Sequence, residues 1–96
     1  MPQPATHLRP VPKLPPRPLQ IMKLVATGMD NHEIADRLFL SPNTVKTHLA
    51  HAFRVLRARN RSHAVALCLT YGLIEVRELR PFSLPPAPTA GARNAA

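Results

Sequence analysis

Prolines decide where this chain can form regular structure. Of its twelve, seven lie at or before Pro18, four at or after Pro81, and only Pro42 is interior. A proline inside a helix removes a hydrogen bond and clashes with the preceding turn, and in a central strand it breaks the ladder. The flanks "MPQPATHLRPVPKLPPRP" and "RPFSLPPAPTAGARNAA" therefore cannot build helix or sheet, and they carry little to bury. They divide the 96 residues into a proline-rich basic arm (1–16), an ordered domain (17–79) and a disordered proline- and alanine-rich tail (80–96). One small domain is the whole allowance.

Within the domain, apolar spacing predicts four helices and no strand. The first runs from about Pro18 to Thr27, with Ile21, Met22, Leu24 and Val25 apolar and Gly28 as a left-handed stop. The second opens on "DNHE", where Asp30 and Glu33 have capping-box spacing, and it buries Ile34, Ala35 and Leu38. "FLS" is a short turn. The third begins with Ser41 as N-cap and Pro42 in the first helical position, where the missing N–H costs nothing. The interior proline is thus a start signal. Val45, Leu49, Ala52 and Leu56 recur at i, i+4, i+7 and i+11 and form the core stripe. The fourth helix follows "RNR", with Ser62 as N-cap, and ends at Gly72.

At about 100° per residue, Asn43, Thr47, Ala50 and Arg54 point away from that stripe, flanked by Lys46 and His51. Asn43, Thr47 and Ala50 are short where a helix built only for solubility would carry Glu and Lys. Small side chains permit close approach, and the polar ends and the Thr47 methyl match the donors, acceptors and thymine methyl of the DNA major groove. A helix, a tight turn and a capped second helix make the helix-turn-helix plan. Charge agrees. The formal net charge is +8, and no acid lies between Arg37 and Ile74, where Lys46, Arg54, Arg57, Arg59 and Arg61 fall. A face of one sign attracts a polyanion.

The stretch from "EIADRLFLSPNTVKTHL" to "RNRSHAV" resembles the LuxR/GerE-type helix-turn-helix domain of bacterial transcription regulators, over about Leu14 to Ile74. The resemblance implies an all-α, four-helix domain that binds double-stranded DNA as a dimer, with the helix from Pro42 to about Arg57 reading the major groove. It implies base contacts from Lys46, Thr47 and Ala50, and phosphate contacts from Asn43, Thr44, His48 and Arg54. The fourth helix, Ser62 to Tyr71, is the implied pairing surface. By spacing, its stripe of His63, Ala66, Leu67 and Thr70 at i, i+3, i+4 and i+7 needs a further cover: the segment "LIEVREL" or, in better agreement with the family, a second copy.

The chain departs from the family pattern in three places. "PPRP", Pro15 to Pro18, lacks the usual cap oxygen and Glu, which costs the first turn roughly 1 kcal/mol. Arg57 stands where Gly is common, so it must turn left-handed or let the helix run on. Ala50 is shorter than the basic or polar residue of many relatives. Residues 1–16 have no room for a receiver or ligand-binding domain, so no small-molecule ligand is expected; if the chain is complete, control comes from abundance, from a partner, or not at all.

Other signals carry less. Pro12 to Arg17 matches a Pro-x-x-Pro-x-Arg ligand of SH3-type grooves, a match frequent in basic proline-rich segments. An arm touching phosphate through Arg9, Lys13 and Arg17 fits better, and a plain linker better still. His48 and His51 are three apart, with too few ligands nearby for a metal. Lone Cys68 excludes an internal disulfide and reads as packing. No nucleophile, base and orienter set appears, so neither enzyme activity nor a cofactor is expected. No apolar run reaches the roughly 20 residues of a bilayer span, and no signal peptide is visible. The chain reads as a cytoplasmic, dimeric, sequence-specific transcription regulator. Two rival readings stay open: a small protein that pairs with a related full-length regulator, and a promoter-recognition module associated with RNA polymerase, similar to sigma-factor region four.

Overall fold

Each of the four helices ends by the same device, and together these ends shape the domain. The computed structural model describes residues 10–79, so the Arg9 end of the arm and the tail 80–96 lie outside the described residues. The order is α1 (Pro16–Ala26), α2 (Asn31–Leu38), α3 (Pro42–Leu56), α4 (Arg61–Thr70) and a 3₁₀ turn (Val76–Leu79), with no strand among the described residues. After each α-helix one residue turns left-handed: Gly28 (φ +99°), Phe39 (+59°), Arg57 (+60°) and Gly72 (+75°). The next N–H then reaches back five residues: Met29 to Leu24 O (3.3 Å), Leu40 to Ala35 O (2.8 Å), Ala58 to Phe53 O (2.9 Å) and Leu73 to Cys68 O (2.8 Å). This closes the exposed carbonyls and reverses the chain within a few residues. Of the two outcomes open to Arg57, the left-handed one is adopted.

The starts are capped by side chains where the sequence supplies them. Asp30 Oδ1 accepts from Glu33 N–H (2.9 Å) and Glu33 Oε1 from Asp30 N–H (2.8 Å), a full capping box. Ser41 Oγ accepts from Thr44 N–H at 3.0 Å. Two expectations are corrected. The N-cap of α4 is Asn60, whose Oδ1 accepts from His63 N–H at 2.9 Å, and Ser62 is the second helical residue. Asn caps as well as Ser does, and Asn60 stands the required three residues before His63. The first helix begins at Pro16, not Pro18, because two prolines in a first turn sacrifice no donor that the helix would use. As expected from "PPRP", α1 has no side-chain cap.

The Arg17 boundary drawn for the domain therefore falls inside α1, and Leu14 upstream of it is core, 7% exposed. Pro16 and Arg17 are helical and Leu14 is buried, so Pro12 to Arg17 cannot present the extended strand an SH3-type groove requires.

The core lies on α3. Its stripe of Val45, Leu49, Ala52 and Leu56 is buried as the spacing predicts. Against it pack Ile21, Met22 and Val25 of α1, Ile34 and Ala35 of α2, and Ala64 and Cys68 of α4. Ile74 closes one end at 1% exposure. The 3₁₀ turn is held to α1 by Lys23 Nζ–Glu78 Oε1 at 2.9 Å. The Glu75 N–H, then Lys23, hold the Glu78 carboxyl below the ordinary carboxylate range.

Gly28→Ala should destabilise the domain by about 1–2 kcal/mol, although nothing lies within 4 Å of the added Cβ, because φ alone excludes it. Ser41→Ala should cost about 1 kcal/mol. Urea titration followed by circular dichroism measures both, and a neutral Gly28→Ala would refute the left-handed closure.

Candidate nucleic-acid interface

Burial of the α3 stripe leaves Asn43, Lys46, Thr47, Ala50 and Arg54 exposed on one side of the helix, with Thr44, His48 and His51 half-buried along its edges. The polar groups on this face are not equally free. Thr44 is committed to the helix start, its hydroxyl 2.9 Å from Ser41 Oγ. Thr47 Oγ1 donates to Asn43 O at 3.1 Å. That bond fixes its rotamer and uses its proton, so Thr47 can offer a ligand only a methyl and an acceptor oxygen. Among the described residues the ion pairs are Lys23–Glu78 and Arg77–Glu75. Neither involves Lys46, Arg54, Arg57 or Arg59, so the cations of α3 and the following turn keep their charge for a partner.

Beside this face a cleft of about 510 Å³ opens between the starts of α2, α3 and α4, and Lys46 and Arg61 both line it. Arg61 is a functional candidate the sequence reading did not single out. Its Nη1 donates to Asn31 Oδ1 and its Nη2 to Met29 O, both at 2.9 Å. It thereby ties α4 to the α1–α2 turn. The only hint was the last arginine of "RNR" at a helix start; no local spacing rule points from residue 61 to residues 29 and 31.

On α4, Ala64 and Cys68 face inward. Burial pushes the Cys68 thiol up to about 11, which suits a packing residue. Of the predicted pairing stripe, Ala66 and Thr70 are exposed and His63 and Leu67 half-buried. Thr70 Oγ1 donates back to Ala66 O at 2.8 Å, and His63 Nδ1 accepts from Arg59 N–H at 3.0 Å. Leu67 packs partly against the core, and Ala66 beside it is exposed.

The family description "Bacterial regulatory proteins, luxR family" matches residues 12–68. The chain belongs to the LuxR family. This LuxR-family domain type binds DNA and is not enzymatic. The chain is 40% identical over 60 residues to the nitrate/nitrite response regulator protein NarL of Escherichia coli, covering 62% of this chain and 28% of that protein. It is 34% identical over 59 residues to the uncharacterized transcriptional regulatory protein YxjL of Bacillus subtilis, covering 62% and 27%. A crystal structure of the response regulator ChrA, from a heme-sensing two-component system, superposes with a TM-score of 0.63 at 34% identity, over 70% of this chain and 33% of that one. The LuxR-family chain thus spans under a third of the length of NarL and YxjL. Among its described residues no helix is long and apolar enough to cross a membrane, and no group of His, Cys, Asp and Glu could hold a metal ion.

Because Lys46 and Thr47 lie outside the core, Lys46→Ala and Thr47→Ala should each change stability by no more than about 0.5 kcal/mol. Thermal unfolding checks this, and a larger loss would place either side chain in the packing.

Proposed function

We propose that the protein is a sequence-specific regulator of transcription that inserts α3 into the DNA major groove and acts as a dimer through the outer face of α4. One observation carries the reading: the α3 face opposite the buried stripe combines small residues with cations that no acid neutralises. A face lacking bulk admits base edges, and unpaired cations supply the phosphate affinity. Lys46, Thr47 and Ala50 face the bases. Lys46 donates to guanine acceptors, Thr47 presents its methyl to thymine or accepts from an exocyclic amine, and Ala50 adds apolar contact. Asn43, Thr44, His48 and Arg54 lie toward the backbone.

The dimer surface is His63, Ala66, Leu67 and Thr70. Two copies related by a twofold axis bring that stripe against itself and present two α3 helices to a near-palindromic site. The same stripe could instead pair with a related longer regulator; strong mixed-dimer formation with weak DNA binding alone would favour that reading. Co-purification with RNA polymerase would favour a promoter-recognition role.

Binding to duplex DNA should weaken roughly tenfold or more between about 50 and 200 mM salt. Sites selected from random duplexes should differ between the parent, Lys46→Ala and Thr47→Ala, each variant losing preference at one base pair per half-site, at a cost of about 1–3 kcal/mol. Identical selected sites would mean that α3 does not read bases. A flat salt response would remove the DNA reading altogether.

Leu67→Glu places two carboxylates face to face in the dimer. DNA affinity should drop sharply while the circular dichroism spectrum stays helical, with a cost of several kcal/mol, on the order expected for buried unpaired charge. Loss of helicity would put Leu67 in the monomer core.

A further inference from the structure

The cleft between the starts of α2, α3 and α4 contains a charge that the fold does not balance. Arg61 is partly buried, yet its two bonds go to neutral acceptors, Met29 O and Asn31 Oδ1. No carboxylate pairs with it among the described residues. A guanidinium has five N–H donors in a fixed fork, so donors remain after those two bonds. The same two bonds hold the fork in place. A pre-organised cation of this kind loses little entropy on binding an anion.

The cleft is continuous with the α3 face, because Lys46 belongs to both. Asp30 also lines it, and is the one acid that does. Asp30 Oδ1 is occupied by the Glu33 N–H, and the Thr44 N–H of α3 is capped by Ser41. At the starts of α2 and α3 one N–H each is thus already capped, and the charge available to an anion in the cleft comes from side chains, Lys46 and Arg61. Arg61 is placed to be its ligand.

We propose that this cleft seats one phosphate of the DNA backbone, with Arg61 as its ligand and Lys46 lining the same cleft. The proposal rests on the DNA-binding reading above and adds to it a contact from α4, outside the helix-turn-helix pair. A phosphate held there fixes how deep α3 sits in the groove, since backbone contacts set register while base contacts set sequence. Asp30 opposes the bound phosphate and limits its affinity, a condition the capping box imposes.

Two substitutions with opposite expected signs test it. Arg61→Gln keeps a hydrogen-bonding side chain but removes the charge. It should weaken binding roughly tenfold or more on every duplex and lower the salt slope by about one unit. Asp30→Asn keeps an equivalent N-cap and removes the opposing charge. It should strengthen binding to every duplex, and by more than Glu75→Gln, an acid outside the cleft that measures the general effect of charge. A gain in affinity cannot come from unfolding, so Asp30→Asn decides the matter even if Arg61→Gln proves unstable. Parent protein that binds while both variants match it in affinity and salt slope overturns this proposal alone. So does a gain for Asp30→Asn no larger than for Glu75→Gln. Inorganic phosphate at constant ionic strength that shifts the Arg61 side-chain resonance, with DNA affinity unaffected by either variant, would assign the cleft to a small anion and also overturn it. A parent that binds no duplex overturns the DNA reading, and the phosphate seat with it.

Discussion

Everything this domain presents to a partner depends on how α3 is clamped about its own axis. Val45, Leu49, Ala52 and Leu56 are each at most 4% exposed, and α1, α2 and α4 all pack against that helix. A helix gripped from three sides cannot roll. At about 100° per residue, a one-residue error in the stripe would rotate Lys46 and Thr47 by more than a quarter turn. Ala52 contributes by being small, since it lets neighbouring backbones approach without a gap. The outward face is therefore a consequence of the inward one. Asn43, Lys46, Thr47, Ala50 and Arg54 are exposed because four apolar residues at the complementary angles are not.

The second constraint is charge. The chain has few acids, and most of those described are committed locally. Asp30 and Glu33 satisfy each other's backbone in the capping box. Glu75 and Glu78 pair with Arg77 and Lys23 at the far end of the chain order. None neutralises α3 or the turn after it, and the positive field there survives folding intact. Apolar stripes and caps hold the helices, while the exposed cations of α3, Lys46 and Arg54, take no part in that packing; Arg61 is the cation that also anchors a helix.

Much of this was legible in the sequence because the signals are local. A capping box three residues long, a Ser-Pro start and a stripe at i, i+4, i+7 and i+11 each depend only on near neighbours. The family resemblance rests on the same stretch and agrees with it. The differences have physical causes, some local and some not. Ser62 has a residue type that caps as well as Asn60 does, but only Asn60 stands three residues before the His63 N–H that needs a cap. The first helix begins earlier than Pro18 because a first turn tolerates proline, so proline marks no boundary there. Leu14 looked like part of an arm because no local spacing marks it as core, although it is 7% exposed. Arg61 was invisible as an anchor for the same reason: its acceptors lie thirty and thirty-two residues away. For the base-facing positions, spacing gave the face; the fixed rotamer of Thr47, which turns it from donor to acceptor, needed the coordinates.

These links bear on how two copies would act together. In the proposed dimer, α4 supplies the pairing stripe on its outer face and Ala64 and Cys68 to the core on its inner face. Its first residue, Arg61, grips the α1–α2 turn. The path from pairing surface to reading helix is therefore short: across one helix and one layer of buried side chains. Bonds from Arg61 oppose sliding of α4 along its axis, and the core opposes its tilting. The left-handed closure at Arg57 joins α3 to α4 through only Arg57, Ala58, Arg59 and Asn60, too short a connection for the two helices to move independently. A pair of such units would hold its two α3 helices at one separation and one angle. Half-site spacing would then be a property of the folded protomer, set by the packing that buries Leu49 and Ala52, and the choice of site would combine base contacts on α3 with the geometry that α4 enforces between them.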